Sequence, residues 1–125
     1  MVKLKPCFKL WLETEDGYVF GPGSFELLHG IQEKGNLKAI AEGLNMSYRQ
    51  AWGIIKQIED TLGEPIIITH RGGKVGGGGA KLTQAGKKLL ETYLKLQSDV
   101  NQLFSDIDNN STFKQRKIQT NVRAG

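Results

Sequence analysis

Large apolar and polar residues alternate along Phe8-Lys9-Leu10, and Trp11 and Leu12 continue the apolar run. Glu13-Thr14-Glu15-Asp16-Gly17 interrupts it before Tyr18-Val19-Phe20. Asp-Gly between two β-prone runs predicts a hairpin over residues 8–20. Gly21-Pro22-Gly23 then breaks the chain, and the apolar period lengthens to that of a helix. Ser24 is expected to cap a first helix that carries Phe25, Leu28 and Ile31 on one stripe and stops at Gly35. Asn36 caps a second, short helix with Leu37, Ile40, Ala41 and Leu44 inward, broken at residues 43–46. Ser47 followed three residues later by Gln50 is a capping box. It opens a third helix whose stripe is Tyr48, Ala51, Trp52, Ile55, Ile58 and Leu62, ending near Gly63.

Pro65-Ile66-Ile67-Ile68-Thr69 is β-branched and predicts a strand, with a second short strand around Ala80-Lys81-Leu82. Thr83 caps a long last helix reaching about Asp108. Two short helices joined by a tight turn and followed by a two-stranded wing describe a winged helix-turn-helix. The fold class expected is therefore mainly α with small β: a winged helix-turn-helix with an N-terminal β-hairpin and a long C-terminal dimerisation helix. One domain over residues 1–108 is expected, with a basic, disordered tail over 109–125.

The dimerisation role comes from the last helix. Leu89, Tyr93, Leu96, Val100, Leu103 and Ile107 recur at alternating steps of four and three, the spacing of a coiled-coil seam. Leu89, Leu90 and Tyr93 can pack on the domain's own core. Leu96, Val100, Leu103 and Ile107 outrun a domain of this size and would lie bare in a monomer, which implies a homodimer.

Composition narrows the chemistry. A single cysteine, Cys7, excludes an internal disulfide framework and a Cys-based zinc site. No apolar run approaches the ~18 residues of a membrane span, so no membrane partner and a cytoplasmic location are expected. The net charge of +4 is unevenly placed. Residues 1–48 hold five basic and six acidic residues, residues 49–88 seven and three, residues 89–108 one and four, and the tail four and none. The local excess over 49–88, beside a net acidic last helix, separates a surface suited to nucleic acid from one suited to another subunit.

Within that basic block, Arg49, Gln50, Gly53, Lys56 and Gln57 share the face opposite the apolar stripe. Arginine can bond guanine, and glutamine adenine, through two hydrogen bonds each in the major groove. Lys56 suits a phosphate, and Ser47 lies where a helix N-terminus favours anions. A plain solvated face is the alternative. Trp52 is expected in the core. Tyr48 either packs there too, the reading its stripe favours, or reaches the DNA backbone. Six of the 16 glycines fall within residues 72–79. There Arg71 and Lys74 sit on a loop whose bare backbone can approach phosphates closely. Lys74 is followed by Val75, so this is not a Walker loop. No carboxylate pair, catalytic triad or metal cluster accompanies it. An enzyme is not expected, nor is a cofactor.

Ser47-Tyr48-Arg49-Gln50-Ala51-Trp52, the Gly72–Ala80 loop and Leu82-Thr83-Gln84-Ala85-Gly86 together resemble the N-terminal DNA-binding domain of ModE-type molybdate-responsive transcription regulators. The Leu-Thr-x-Ala-Gly step is also similar to that of the LysR-type winged helix. The resemblance covers residues 8–107. It implies a dimer paired through the last helix, a major-groove role for the helix opened by Ser47, Tyr48 and Arg49, and backbone or minor-groove contacts from Arg71 and Lys74. Full-length members carry a C-terminal molybdate-binding domain. The chain stops soon after the dimerisation helix, so molybdate or tungstate sensing is not expected of it. The expectation is thus a transcriptional regulator that binds double-stranded DNA as a homodimer on a palindromic site. The rivals are a winged-helix protein-interaction module without DNA binding and a sequence-neutral chromatin protein.

Overall fold

The computed structural model describes residues 2–70, 79–108 and 112–113. In chain order the elements are β1 (Val2–Lys3), β2 (Leu12–Thr14), β3 (Gly17–Phe20), α1 (Pro22–Lys34), α2 (Leu37–Gly43), α3 (Tyr48–Leu62), β4 (Ile67–His70), β5 (Gly79–Leu82), α4 (Gln84–Asp108) and β6 (Thr112–Phe113). They fall into two compact units, Lys9–Gln97 and the two chain ends, Met1–Phe8 with Ser98–Gly125. Within the larger unit, α1, α2 and α3 precede the antiparallel pair β4–β5, with β2–β3 as a separate antiparallel hairpin. This is a winged helix-turn-helix with an N-terminal hairpin.

Local chemistry accounts for the helix ends. Pro22 opens α1, where its missing N–H is no loss. Ser24 is not the cap: Gly21 is, and Ser24 stands three residues in, buried, its Oγ accepting the Gly21 N–H at 3.2 Å. The start moved back because Pro22 fixes helical φ two residues before the serine. Gly35 closes α1 at φ 68° and Gly63 closes α3 at φ 79°, both left-handed. Asn36 caps α2, its Oδ1 accepting from the Ala39 N–H at 3.0 Å. Thr83 caps α4 through the Gly86 N–H and ties it to the preceding segment through the Pro65 carbonyl.

The strands are shorter than the alternation implies. The hairpin begins at Leu12, and its loop is Glu15-Asp16, with Thr14 opposite Gly17. β4 begins at Ile67, because the Ile66 N–H donates to Glu59 of α3 and its carbonyl accepts from the Thr83 N–H. Those bonds serve the joint between helices and wing, not the ladder.

The core of the larger unit gathers Phe20, Leu27, Leu28, Ile31, Ile55, Ile58, Ile66, Leu90 and Tyr93, all nearly inaccessible. Tyr93 meets Phe20 edge-on at 5.2 Å and lies against Phe25. Its hydroxyl donates to the Leu10 carbonyl at 2.8 Å, fastening the chain before the hairpin to α4. Burial, with the Tyr18 phenol adding to it, pushes the Tyr93 phenol above its ordinary value. Leu89, Leu90 and Tyr93 thus belong to the chain's own packing, as expected.

Gly86 marks the closest approach of α4 to the joint. A Cβ there would press on the Ile66 carbonyl and the Leu82 side chain. Backbone cannot retreat as a flexible side chain can. Gly86→Ala is expected to cost about 1–3 kcal/mol, read as a lower denaturant midpoint with an unchanged slope. An unchanged midpoint would show that the joint is loose.

In the smaller unit, β1 and β6 pair antiparallel, Val2 with Phe113 and Lys3 with Thr112. The expected tail therefore contains a strand at Thr112–Phe113, two β-prone residues. Phe8 meets Phe104 edge-on at 5.1 Å.

Candidate nucleic-acid interface

The turn from α2 to α3 is built by backbone. The Asn45 N–H donates to Glu42 and the Met46 N–H to Ala41, with Asn45 in the left-handed region at φ 58°. Asparagine tolerates that conformation, so the chain reverses within four residues and sets the start of α3 outward. Ser47 Oγ accepts the Gln50 N–H at 3.0 Å, and Gln50 Oε1 accepts the Ser47 N–H at 2.8 Å. The capping box read from sequence is present in full and fixes the first turn.

Ser47, Tyr48, Arg49 and Gln50 are all exposed, as are Gly53, Lys56 and Gln57 farther along. Nothing lies within 4 Å of a Cβ built on Gly53, so this face is open for a partner. Arg49 holds the second helical position of α3, whose first turn carries no acid. A cation there opposes the helix dipole, by about 0.3–1 kcal/mol at a surface. The local preference for an acid in a first turn is thus broken on an open face.

Two readings of this helix need correction. Tyr48 is not a core residue. It is 51% exposed and touches Trp52 edge-on at 6.3 Å, while Trp52 packs half-buried against the core. Leu62, at the other end of the stripe, is likewise 42% exposed. Both occupy terminal positions of α3, where the stripe continues but the core beneath does not. Gln50, meanwhile, serves the cap with the oxygen that an adenine contact needs. Reading a base through both amide atoms requires it to share or release that bond. Gln50→Glu keeps an acceptor for the Ser47 N–H and adds a charge suited to a helix N-terminus. The expectation is unchanged or raised thermal stability together with at least about tenfold weaker duplex binding, from like-charge repulsion. Equal binding by the variant would remove this turn from the interface.

Lys56 has company that sequence did not reveal. It lines a groove with Gln57 and Asp60 of α3 and with Thr14, Asp16 and Tyr18 of the hairpin. The hairpin tip therefore brings a carboxylate beside the outer face of α3. Only tertiary packing reveals this neighbour, which lies forty residues away in the chain.

Arg71 and Lys74 lie outside the described residues. The wing stem is described. Ile67 stands opposite Leu82, both buried, while Ile68 opposite Lys81 faces outward. The Ala80 N–H donates to the Gly35 carbonyl at 2.8 Å, so the wing is bolted to the turn between α1 and α2. Among the described residues no group of three or more His, Cys, Asp or Glu is placed to hold a metal ion, and no helix is long and apolar enough to cross a membrane.

The seam residues are distributed between the units. In the larger unit Leu96 is 39% exposed. In the smaller, Val100 is half-buried and Leu103 is 58% exposed. The Ile107 side chain lies outside the described positions.

Comparison with known proteins bears on this arrangement. The chain is 34% identical over 92 residues to the molybdenum-pterin-binding protein MopB of Rhodobacter capsulatus, covering 74% of this chain and 34% of that protein. It is 31% identical over 102 residues to the transcriptional regulator ModE of Yersinia pestis, covering 82% and 38%. It is 30% identical over 102 residues to the DNA-binding transcriptional dual regulator ModE of Escherichia coli strain K12, covering 79% and 38%. The chain is a homologue of the ModE-type regulators. It spans little more than a third of the length of these ModE and MopB relatives. No protein-family model matches it. Among solved structures, full-length CbnR in complex with its target DNA aligns with a TM-score of 0.49 and 21% identity, over 67% of this chain and 27% of that one.

Proposed function

We propose that the chain is a transcriptional regulator, not an enzyme, that binds double-stranded DNA as a homodimer. The first turn of α3 enters the major groove. Arg49 reads a base there, Ser47 and Tyr48 meet the backbone, and Gln50 divides its amide between cap and base. Lys56 contacts phosphate within the limits that Asp16 and Asp60 set. Arg71 and Lys74 carry the wing to the flanking backbone, and Leu96, Val100, Leu103 and Ile107 join two subunits.

The observation that carries this reading is the exposed, doubly capped first turn of α3 with a cation at its second position. Such a turn is rigid, open and electrostatically unfavourable until an anion arrives. The similarity to the DNA-binding transcriptional dual regulator ModE of Escherichia coli supports the same reading. A fluorescence-anisotropy titration of a labelled mixed-sequence duplex at low salt tests it. Saturable binding with two chains per duplex is expected. No binding would leave the winged helix as a protein-interaction module.

A further inference from the structure

The wing stem, the end of α1 and the first turns of α4 enclose a groove separate from the face of α3. Lys34, Gly35, His70, Lys81 and Lys87 line it. The lysines come from three different elements, which meet where the Ala80 N–H bonds the Gly35 carbonyl. All three are exposed, and none makes an ion pair among the described residues. The single acid in the groove, Glu33, lies 3.7 Å from His29 on its own helix. Three lysines against one carboxylate leave the groove with a local excess of positive charge, which favours an anion.

The class of that anion follows from how the lysines are spread: Lys34 ends α1, Lys81 lies on the exposed side of β5, and Lys87 stands in the first turn of α4. A small free anion gains little from exposed lysines spread over three elements, because water and salt screen each one. A polyanion gains by releasing its condensed counterions at every contact. We infer that this groove seats the sugar-phosphate backbone of DNA flanking the bases met by α3, with Lys34, Lys81 and Lys87 as phosphate contacts. The inference rests on the DNA-binding reading above and adds a second, sequence-neutral contact line to it.

The test measures duplex affinity against salt for the whole chain and for K34Q/K81Q/K87Q, using a labelled mixed-sequence duplex. Each lost phosphate contact flattens the logarithmic salt slope by about 0.9, so a reduction of about 2 to 3 is expected. K88Q is the control. Lys88 is the next residue on α4 but lines a different groove with Leu62 and Glu64, and its slope stays that of the parent. K34R/K81R/K87R retains the parent slope, which separates charge from packing. An unchanged slope in the glutamine variant, while the parent binds DNA, overturns the inference and leaves the function standing. Absence of parent binding to any duplex overturns both. Stoichiometric binding of inorganic phosphate with an unchanged DNA slope overturns it in favour of a small-anion site.

Discussion

Arg49→Ala is expected to move stability and binding in opposite directions. Removing a cation from the second position of α3 relieves an unfavourable interaction with the helix dipole. Alanine is also the better helix former, so thermal stability should hold or rise, by up to about 1 kcal/mol. Affinity for the selected duplex should fall by about 1–3 kcal/mol, roughly 5- to 140-fold. Discrimination should relax at one base pair per half-site. The sign split is the informative part. Loss of stability and binding together would make Arg49 a structural residue. Equal loss on every sequence would make it a phosphate contact, with base reading lying elsewhere on the face.

Leu96→Glu combined with Leu103→Glu is expected to give a folded monomer. Both side chains are substantially exposed, so their replacement costs the single chain little, within about 0.5 kcal/mol each. In the dimer four carboxylates would face an apolar seam without partners, which costs several kcal/mol. Light scattering should report the dimer mass for the parent at micromolar concentration and half of it for the variant. Duplex affinity should fall by on the order of a hundredfold or more, because each half-site then binds alone. A parent chain that is already monomeric would remove the seam from the account.

What the sequence disclosed divides by range. The caps at Asn36 and Ser47 and the left-handed closures at Gly35 and Gly63 are decided within a few residues, the first pair by a side-chain oxygen and the second by the missing Cβ. The order of helices and wing follows from them. The stripes were less informative at their ends. Periodicity tells which way Tyr48 and Leu62 point, but not whether core extends that far, and it does not. The misplacement of the α1 cap is of the same kind, since Ser24 satisfies one backbone N–H whether it stands at the cap or three residues inside.

Long-range contacts were not legible at all. No local signal reports that the Tyr93 hydroxyl meets Leu10, that Gly86 presses against Ile66, or that the Ala80–Gly35 bond anchors the wing. The candidate interface inherits this division. Arg49 and its capped turn can be read from six residues. The Asp16 carboxylate beside Lys56, and the gathering of Lys34, Lys81 and Lys87, depend on elements that meet only in the fold. Total charge hid them for the same reason, since it sums over surfaces that face different ways.

Selection of bound molecules from a random duplex pool by the intact chain tests the central claim most directly. The expected result is an inverted repeat whose half-sites are centred one helical turn apart, about 34 Å, with a preferred base at the position that Arg49→Ala relaxes. A pool that emerges without a consensus, bound with equal affinity throughout, would contradict it.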